Sequence, residues 1–415
     1  MRLGGIMHAV RALYALGIDY DVLFNAPAYL DGSIEMFLKK HNCINRVKIG
    51  DVTGAPNIIT IDEIKEIGCQ HYDLILRDEY KINYLNNFEA YNFTSITDLL
   101  LIVGQSNFQH IIPNINKIAN CGKKIHIDLS NDVENIEVFK SINFKFDTIF
   151  ISTSSTFFNK SFVDYNQFVQ LFNNLTENLV LKENRGGSRV YDFSTKQEIK
   201  IPSQSHTITH SVGVGDVFDI ASICCEYLVE LKYRFASIVA SEYSRTTYID
   251  NFSRAIRTIK NFDEKIINAH VGISLPWEKR SEIHIYLAAP DFSYVDTQII
   301  DFVYNSLKYH NFNPHRPIKE NGEINNQSSE IDKLTIFDKD LDLINKCNLL
   351  LAVLIFNDPG TLIEIGYAKA LNKSVIVYDP NNIAQNNMLK FLPDLVSVDF
   401  DEIITKIFEL TGEKL

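Results

Sequence analysis

Two carboxylates, Asp358 and Glu364, follow the end of an apolar run near the C-terminus of the chain. The run covers Leu349 to Phe356, an Asp-Pro-Gly turn follows it, and a second apolar run from Ser374 to Tyr378 comes after the helix that carries Glu364. This order predicts a strand–turn–helix–strand unit, the building block of a parallel sheet. Loops at the carboxyl ends of such strands hold the functional groups of α/β proteins. Because a lone acid near a helix N-terminus is usually a solvated residue, the flanking sequence must decide its role.

Three motifs frame these carboxylates. Tyr286-Leu-Ala-Ala-Pro stands upstream, Asp340-Leu-x-x-Ile lies in between, and Asp358-Pro-Gly-Thr-x-x-Glu364-Ile-Gly-Tyr-Ala completes the series. In this order the motifs resemble the nucleoside 2-deoxyribosyltransferase family. The resemblance covers about Glu282 to the C-terminus. It implies a flavodoxin-like α/β domain that acts on a nucleoside and requires no cofactor.

The resemblance implies a role for each matching residue. Glu364 maps onto the nucleophile that attacks the anomeric carbon, and Asp340 maps onto the acid that handles the base. The substrate-binding positions are matched by Tyr286, Asp358 and Gly360. The family also borrows an Asn from a neighbouring subunit, and Asn387, in the segment Asn-Met-Leu, is the candidate here. The resemblance therefore implies a homo-oligomer.

The chemistry of N-glycosidic bond cleavage is consistent with these residue types. Cleavage passes through an oxocarbenium-like state, which a carboxylate can stabilise or trap covalently. A second carboxyl group must deliver a proton to the departing base, so Glu364 and Asp340 can share the work if the fold brings them together. A carboxylate at Asp358 that faces the 5′ end of the sugar would accept a hydrogen bond from a 5′-hydroxyl and repel a 5′-phosphate. This favours nucleosides over nucleotides.

A second motif, Val212-Gly-Val-Gly-Asp-Val-Phe, lies in the middle of the chain. Its two glycines, Gly213 and Gly215, lead into a predicted helix whose N-terminal amides can hold an anion. Asp216 is placed where it could take a proton from a substrate hydroxyl. Taken alone, the motif is more typical of a tight turn that is capped by Asp.

This motif and two other segments resemble the PfkB, or ribokinase-like, family of carbohydrate and nucleoside kinases, whose signature is Gly-Ala-Gly-Asp-x-Phe. The segment from Leu3 to Gly17 is similar to the N-terminal Gly-Gly helix of that family. In Leu181-Lys-Glu-Asn-Arg-Gly-Gly-Ser, Gly186 matches the second glycine of a Gly-x-x-Gly segment before the nucleotide site. The resemblance covers about residues 1–262, and it implies Asp216 as the catalytic base, with ATP and Mg²⁺ as cofactors.

The same segments depart from the kinase pattern. The sequence begins at the Gly-Gly, so the first strand of the family, with its sugar-binding Asp, is either absent or was lost to a misassigned start. The stretch from Ser152 to Ser155 occupies the region where the family has Asn-x-x-Glu, which organises magnesium. Phosphoryl transfer and the mere binding of a nucleoside or nucleotide therefore remain alternatives for this domain.

Composition limits the class of protein and its partners. The 415 residues suffice for two or three domains, and 46% hydrophobic with 22% charged residues is typical of a globular protein. The net charge of −12 argues against polymeric nucleic acid as a partner. The six cysteines are scattered without metal-ligand spacing, no signal pattern starts the chain, and no apolar run reaches about 18 residues. We expect a cytoplasmic protein with a small nucleoside or nucleotide as its partner, and no metal site or membrane contact.

Alternating helical and apolar patterns predict an α/β protein with two Rossmann-like, doubly wound domains. Residues 1–262 form the ribokinase-like domain, 263–281 the linker, and 282–415 the transferase-like, flavodoxin-like domain. The residues between Val47 and Ile61 are predicted to form an irregular β excursion, such as a lid. The predicted strands of the first domain are Tyr20–Phe24, Asp73–Leu76, Asp98–Val103, Lys124–Asp128, Thr148–Ile151 and Asn178–Lys182.

Three functions are compatible with these features. The first is a nucleoside N-glycosidase or glycosyltransferase that is joined to a domain binding or phosphorylating a sugar or nucleoside. The second is a toxin or phage-defence effector that depletes nucleosides, nucleotides or NAD under the control of a sensing, degenerate kinase domain. The third is a pair of nucleotide-binding modules without catalysis, against which the combination of Asp340, Asp358 and Glu364 argues.

Overall fold

A computed structural model describes residues 4–415, except 55–57, 62–63, 69–71, 77–80, 104, 130–132, 134, 140, 226, 228 and 325–326. The strands are β1 (Val22–Ala26), β2 (Arg46–Thr53), β3 (Ile58–Ile61), β4 (Tyr72–Leu76), β5 (Lys81–Tyr84), β6 (Asp98–Val103), β7 (Lys124–Leu129), β8 (Phe146–Ser152), β9 (Thr176–Lys182), β10 (Ser188–Asp192), β11 (Gln197–Ile201), β12 (Ile273–Ser274), β13 (His284–Ala288), β14 (Asn313–His315), β15 (Leu349–Val353), β16 (Ser374–Tyr378), β17 (Leu395–Ser397) and β18 (Glu413–Lys414). The helices are α1 (Ile6–Leu16), α2 (Asp31–Lys40), α3 (Asn87–Ala90), α4 (Gln105–Asn120), α5 (Thr156–Ser161), α6 (Tyr165–Gln170), α7 (Val214–Ile223), α8 (Val229–Ser244), α9 (Ile249–Ile259), α10 (Glu264–Ala269), α11 (Trp277–Arg280), α12 (Gln298–Tyr309), α13 (Pro317–Asn321), α14 (Glu330–Lys346), α15 (Pro359–Ala370), α16 (Asn387–Phe391) and α17 (Phe400–Thr411).

The N-terminal domain is built on a six-stranded sheet with the order β11-β10-β9-β8-β7-β6. Strands β6 to β9 are parallel, while β10 and β11 form an antiparallel edge. In strand β8 the apolar residues Phe146, Ile149, Phe150 and Ile151 are fully buried, as expected for a parallel strand that is covered on both faces. Helices α4, α5 and α6 pack on one face, and α1, α7, α8 and α9 pack on the other. The doubly wound architecture predicted for this domain is therefore confirmed.

Smaller sheets extend this domain. One has the order β1-β2-β5, and β3 and β4 form a separate antiparallel pair. The β excursion predicted between Val47 and Ile61 corresponds to β2 and β3, and residues 55–57 between them lie outside the described part of the chain.

Residues 263–281, which were predicted to be a linker, pack closely against the N-terminal domain. Asp263 caps α10, and Ile273 in β12 pairs with Lys414 of the last strand. The side chain of Arg280 is completely buried, and its guanidinium donates to the carbonyl groups of Leu275 and Glu183. This segment therefore contacts residues of both domains.

The C-terminal domain contains a five-stranded, fully parallel sheet with the order β14-β13-β15-β16-β17. Helices α12 and α17 cover one face of the sheet, and α14, α15 and α16 cover the other. In chain order this arrangement is 2-1-3-4-5, the flavodoxin-like order, which confirms the predicted fold. The direction of winding reverses between β13 and β15, and ligands of such sheets bind beyond the carboxyl ends of the strands at this point.

None of the helices in the described residues is long and apolar enough to cross a membrane.

Candidate functional site

Glu364 lies in α15, directly after β15 and therefore at the reversal point of the C-terminal sheet. The hydroxyl of Tyr286 donates a hydrogen bond of 2.6 Å to its Oε1 atom. Burial raises the pKa of Glu364 to about 7, the bond from Tyr286 opposes that increase, and the charges of Asp340 and Asp358 add to it. The carboxylate is thus a group that changes its charge near neutral pH and that has two further acids nearby.

Tyr286 holds this carboxylate from the middle of the sheet. It is fully buried in β13, in register with His315 on β14 and Leu350 on β15. Burial, followed by the charge of Glu364, raises the pKa of the Tyr286 hydroxyl far above its usual value. The hydroxyl is therefore a permanent donor that fixes one oxygen of Glu364.

Asp340 reaches the same place from α14. Its carboxylate is half-buried, and the side-chain amide of Asn321 donates to Oδ1 at 2.7 Å. Burial raises the pKa of Asp340, and the bond from Asn321 lowers it. Asn321 ends α13 and belongs to none of the motifs, so the sequence contains no local signal for its contact with the acid.

Asp358 begins α15 as its N-cap. Its Oδ2 atom accepts hydrogen bonds from the backbone N–H of Thr361 at 2.7 Å and from the Thr361 hydroxyl at 3.0 Å. A Cβ atom at Gly360 would approach the same oxygen to 3.0 Å, so a glycine at this position keeps the cap open. Both bonds go to Oδ2, which leaves Oδ1 able to accept a hydrogen bond from a substrate hydroxyl.

Asn387 lies elsewhere on the surface of the domain. It is exposed at the start of α16, beside Met388, and Phe391 of the same helix is also exposed. Within the described residues it makes no hydrogen bond to Glu364, Asp340 or Asp358. The fold of one chain therefore brings together Tyr286, Asp340, Asp358, Gly360 and Glu364, and it leaves Asn387 facing solvent.

The second site lies at the start of α7 in the N-terminal domain. Gly213 caps this helix with a φ of +76°, a left-handed conformation that favours glycine. Asp216 lies in the first turn, and Gly5 packs so closely that a Cβ there would be 3.1 Å from its Oδ1 atom. Burial, followed by the charge of Asp128, raises the pKa of Asp216 to about 7, and Lys182 opposes this increase.

Lys182 joins three carboxylates at this site. Its Nζ atom lies 3.1 Å from Asp128 and 2.8 Å from Asp219. Burial opposes the charge of Lys182, but these two carboxylates and Asp216 outweigh burial and raise its pKa. A Cβ at Gly215 would be 3.4 Å from the ammonium group, which therefore stands beside the helix N-terminus.

The sequence motifs assign no role to Lys182, although its position in the sequence indicates one. Both Lys182 and Asp128 fall at the carboxyl ends of predicted parallel strands, where functional side chains concentrate. Gly186, in contrast, packs against the side chain of Arg280 and the carbonyl of Leu275. The following residue, Gly187, is the glycine of this segment that lines the cavity at the site.

The groups at α7 fit only part of the implied ATP and Mg²⁺. The N-terminal amides of the helix and the Lys182 ammonium suit phosphate oxygens. The carboxylates of Asp128 and Asp219 both face Lys182, whose single positive charge balances one of them. Across the part of the chain that the structure describes, no three His, Cys, Asp or Glu residues are grouped to hold a metal ion. Of the implied groups, the site therefore fits the phosphates of ATP.

Known proteins resemble the two halves separately. Residues 285–401 match the family model for nucleoside 2-deoxyribosyltransferase. A solved 2-deoxyribosyltransferase from Bacillus psychrosaccharolyticus is 20% identical and covers 29% of this chain and 89% of its own, with a TM-score of 0.27. No curated protein sequence matches this chain.

Other similar solved structures cover more of the chain. Phosphofructokinase-2 from Escherichia coli, in complex with substrates and products, is 15% identical and covers 62% of this chain and 88% of its own, with a TM-score of 0.47. Ribokinase from Arabidopsis thaliana, complexed with ribose and ATP, is 12% identical and covers 63% and 88%, with a TM-score of 0.42. The match to the nucleoside 2-deoxyribosyltransferase model lies within the C-terminal domain, where the sequence motifs predict it.

Proposed function

We propose that the C-terminal domain cleaves or transfers the N-glycosidic bond of a nucleoside-like substrate, with Glu364 as the nucleophile. The observation that carries this proposal is the hydrogen bond of 2.6 Å from Tyr286 to Glu364, in a site where Asp340 and Asp358 lie near enough to raise its pKa. A carboxylate that is fixed through one oxygen leaves the other to attack an anomeric carbon.

Glu364 and Asp340 have different roles in the proposed reaction. Ionised Glu364 attacks the anomeric carbon, the C–N bond breaks toward the base, and Asp340 relays a proton from water to the departing nitrogen. Burial raises the pKa of Asp340, which makes it a better proton relay than a fully solvated aspartate. The glycosyl ester on Glu364 is then opened by water or by a second base, with Asp340 taking the proton back from the attacking group.

Asp358 selects the sugar in this proposal. Its Oδ1 atom accepts a hydrogen bond from a 5′-hydroxyl, and its negative charge disfavours a 5′-phosphate. The preferred substrate class is therefore the nucleoside.

A homo-oligomer is also part of the proposal. Large apolar side chains are exposed on the helices that carry Asp340 and Glu364 and also on α16. On α14 and α15 these are Ile331, Leu334, Phe337 and Ile363, and on α16 they are Met388 and Phe391. Apolar patches of this kind usually mark contacts with another protein surface. A neighbouring copy that covers this face would bring its Asn387 toward the acids.

The N-terminal domain, in our proposal, binds a sugar or nucleoside derivative at α7 and controls the C-terminal domain. The segment from Ser152 to Ser155 favours binding over phosphoryl transfer, because it stands where the kinase family has the Asn-x-x-Glu that organises magnesium. This supports the second candidate function, a regulated enzyme that depletes nucleosides, nucleotides or NAD.

One incubation tests the proposal. The protein is mixed separately with nucleosides, nucleotides and NAD, and free base is measured with and without an acceptor base. Base released from a nucleoside by the wild type and not by Glu364→Gln supports the proposal. Failure to release base from any compound, in a protein that binds nucleosides, would leave two binding modules and contradict it.

A further inference from the structure

Another cavity, of about 460 Å³, lies at the amino ends of the parallel strands in the N-terminal domain. Its wall includes Asp98 and Lys124, the first residues of β6 and β7, and it also includes Ser222 and Ile223 at the end of α7. Asp216 lies at the opposite end of that helix, by the carboxyl ends of the same strands. This cavity is therefore separate from both candidate sites described above.

Lys232 of α8 lines this cavity without a counterion. Its Nζ atom lies 4.9 Å from the ring centroid of Tyr233, and it forms no hydrogen bond or ion pair with any residue that the structure describes. Burial, followed by the charge of Lys124, lowers the pKa of Lys232, and nearby acidic groups oppose this decrease. The ammonium form of this side chain would therefore be favoured by an additional negative charge.

Lys124 adds a second positive charge to the cavity. It is exposed, and it pairs in register with Asp98 of the neighbouring strand. Within the described part of the chain its side chain forms no ion pair, yet it is near enough to Lys232 to lower the pKa of that residue. Two like charges that face one cavity repel each other, which is unfavourable for folding and is typical of a site for an anion.

Asp98 is the acid of the cavity wall, and it already has a partner. Its carboxylate accepts a hydrogen bond from Nε2 of the buried His126 at 3.2 Å, and this bond is the main reason that the pKa of Asp98 is lowered. The charges of Asp98, Lys124 and Lys232 sum to +1, and protonation of His126 would only add to this value. The excess corresponds to one negative charge on a ligand.

The cavity also offers apolar surface. Ile223 and the aromatic residues Tyr227 and Tyr233 line it beside the charged groups. Its volume is within the range of small-molecule sites in proteins. A ligand here can therefore combine a charged group with an apolar part.

We propose that this cavity binds a small organic acid, whose carboxylate lies between Lys232 and Lys124 and whose apolar part packs against Ile223 and Tyr233. A carboxylate carries the single charge that the wall lacks, whereas a phosphate monoester carries nearly two. The inference depends neither on the chemistry proposed for Glu364 nor on the ligand of the site at α7.

Saturation-transfer NMR on the full-length protein tests the inference. Acetate, butyrate and benzoate are each titrated and compared with acetamide, butyramide and benzamide, which have nearly the same shapes without the charge. Inorganic phosphate is then added as a competitor. We expect butyrate or benzoate to bind at least tenfold more tightly than its amide and more tightly than acetate, because acetate leaves the apolar part of the wall uncovered.

Four substitutions locate the binding. Lys232→Gln should weaken the binding of the preferred acid by about tenfold, as expected for the loss of a charged hydrogen-bond partner, and Lys232→Arg should retain more of the affinity. Lys124→Gln, at an exposed position that does not endanger folding, should weaken it by about threefold. Lys123→Gln is the matched control, because its Nζ atom donates to the carbonyl of Thr94 at 2.9 Å. The control should bind like the wild type.

The remaining outcomes would overturn the inference. Absence of binding by all three acids at millimolar concentration would exclude the site, and equal affinity for an acid and its amide would exclude the role of the lysines. Stronger binding of inorganic phosphate than of every acid would contradict the ligand class. Wild-type affinity in both Lys232→Gln and Lys124→Gln would place the binding outside this cavity.

Discussion

The hydrogen bond from Tyr286 to Glu364 makes a quantitative prediction for Tyr286→Phe. The substitution removes the hydroxyl that donates at 2.6 Å and keeps the buried ring. The bond lowers the pKa of Glu364 from the value that burial alone would produce, so its loss raises a pKa that is about 7 in the native protein. A hydrogen bond to a charged group contributes about 1.5–3 kcal/mol, or about one to two pKa units.

The effect on the reaction follows from the fraction of ionised Glu364. With an increase of about one unit, that fraction at pH 7 falls from about one half to about one tenth, a loss of about fivefold in rate. At pH 9 most of the carboxylate is ionised in both proteins, so the loss nearly disappears. Activity therefore rises with pH as Glu364 becomes ionised, and in the variant this rise occurs at a higher pH.

The assay is the pH dependence of kcat/KM for base release between pH 5.5 and 9.5. Tyr309→Phe is the matched control, because its hydroxyl donates to Glu66 at the domain boundary, away from the acids. We expect the acidic limb of the pH profile to move to higher pH in Tyr286→Phe and to stay in place in Tyr309→Phe. An acidic limb at the same pH in both variants, or a loss that persists undiminished at pH 9, would refute the role assigned to this hydrogen bond.

Three other predictions concern proton delivery to the base, phosphorylation and oligomeric state. Asp340→Asn should slow substrates with poor leaving groups more than those with good ones, and equal losses across bases would reduce its role to positioning. When the protein is incubated with ATP and the products are measured by mass spectrometry, neither the wild type nor Asp216→Asn should phosphorylate ribose, deoxyribose or nucleosides. Phosphorylation by the wild type that is lost in Asp216→Asn would contradict the sensing role. Light scattering at micromolar concentration should detect an oligomer, whereas a fully active monomer would exclude a site shared through Asn387.

Local patterns predicted the parallel strands well. Strand β6 has the predicted bounds, Asp98–Val103, and β7 differs from its prediction by one residue at one end. Buried parallel strands form continuous apolar runs that polar loops interrupt, so their limits are visible in the sequence. The helix that carries Glu364 was equally predictable, because Asp-Pro-Gly contains both its cap and the start of its first turn.

Contacts between residues that are far apart in the chain could not be predicted from local patterns. Lys182 meets Asp128 and Asp219, which are 54 and 37 residues away in the chain. A lysine at the end of a strand normally extends into solvent, and only the closure of the sheet on α7 turns this one inward. The burial of Arg280 likewise depends on carbonyl groups far from it in sequence, such as that of Glu183.

The central claim is that Glu364 forms a bond to the sugar. The most direct measurement is the mass of the peptide that contains Glu364, after the protein is quenched during turnover of a nucleoside without an acceptor base. We predict a glycosyl adduct on this peptide in the wild type, no adduct in Glu364→Gln, and a loss of base release by more than tenfold in that variant, which corresponds to about 1.4 kcal/mol of activation free energy. Base release by Glu364→Gln above one tenth of the wild-type rate, or an adduct on another residue, would contradict the account.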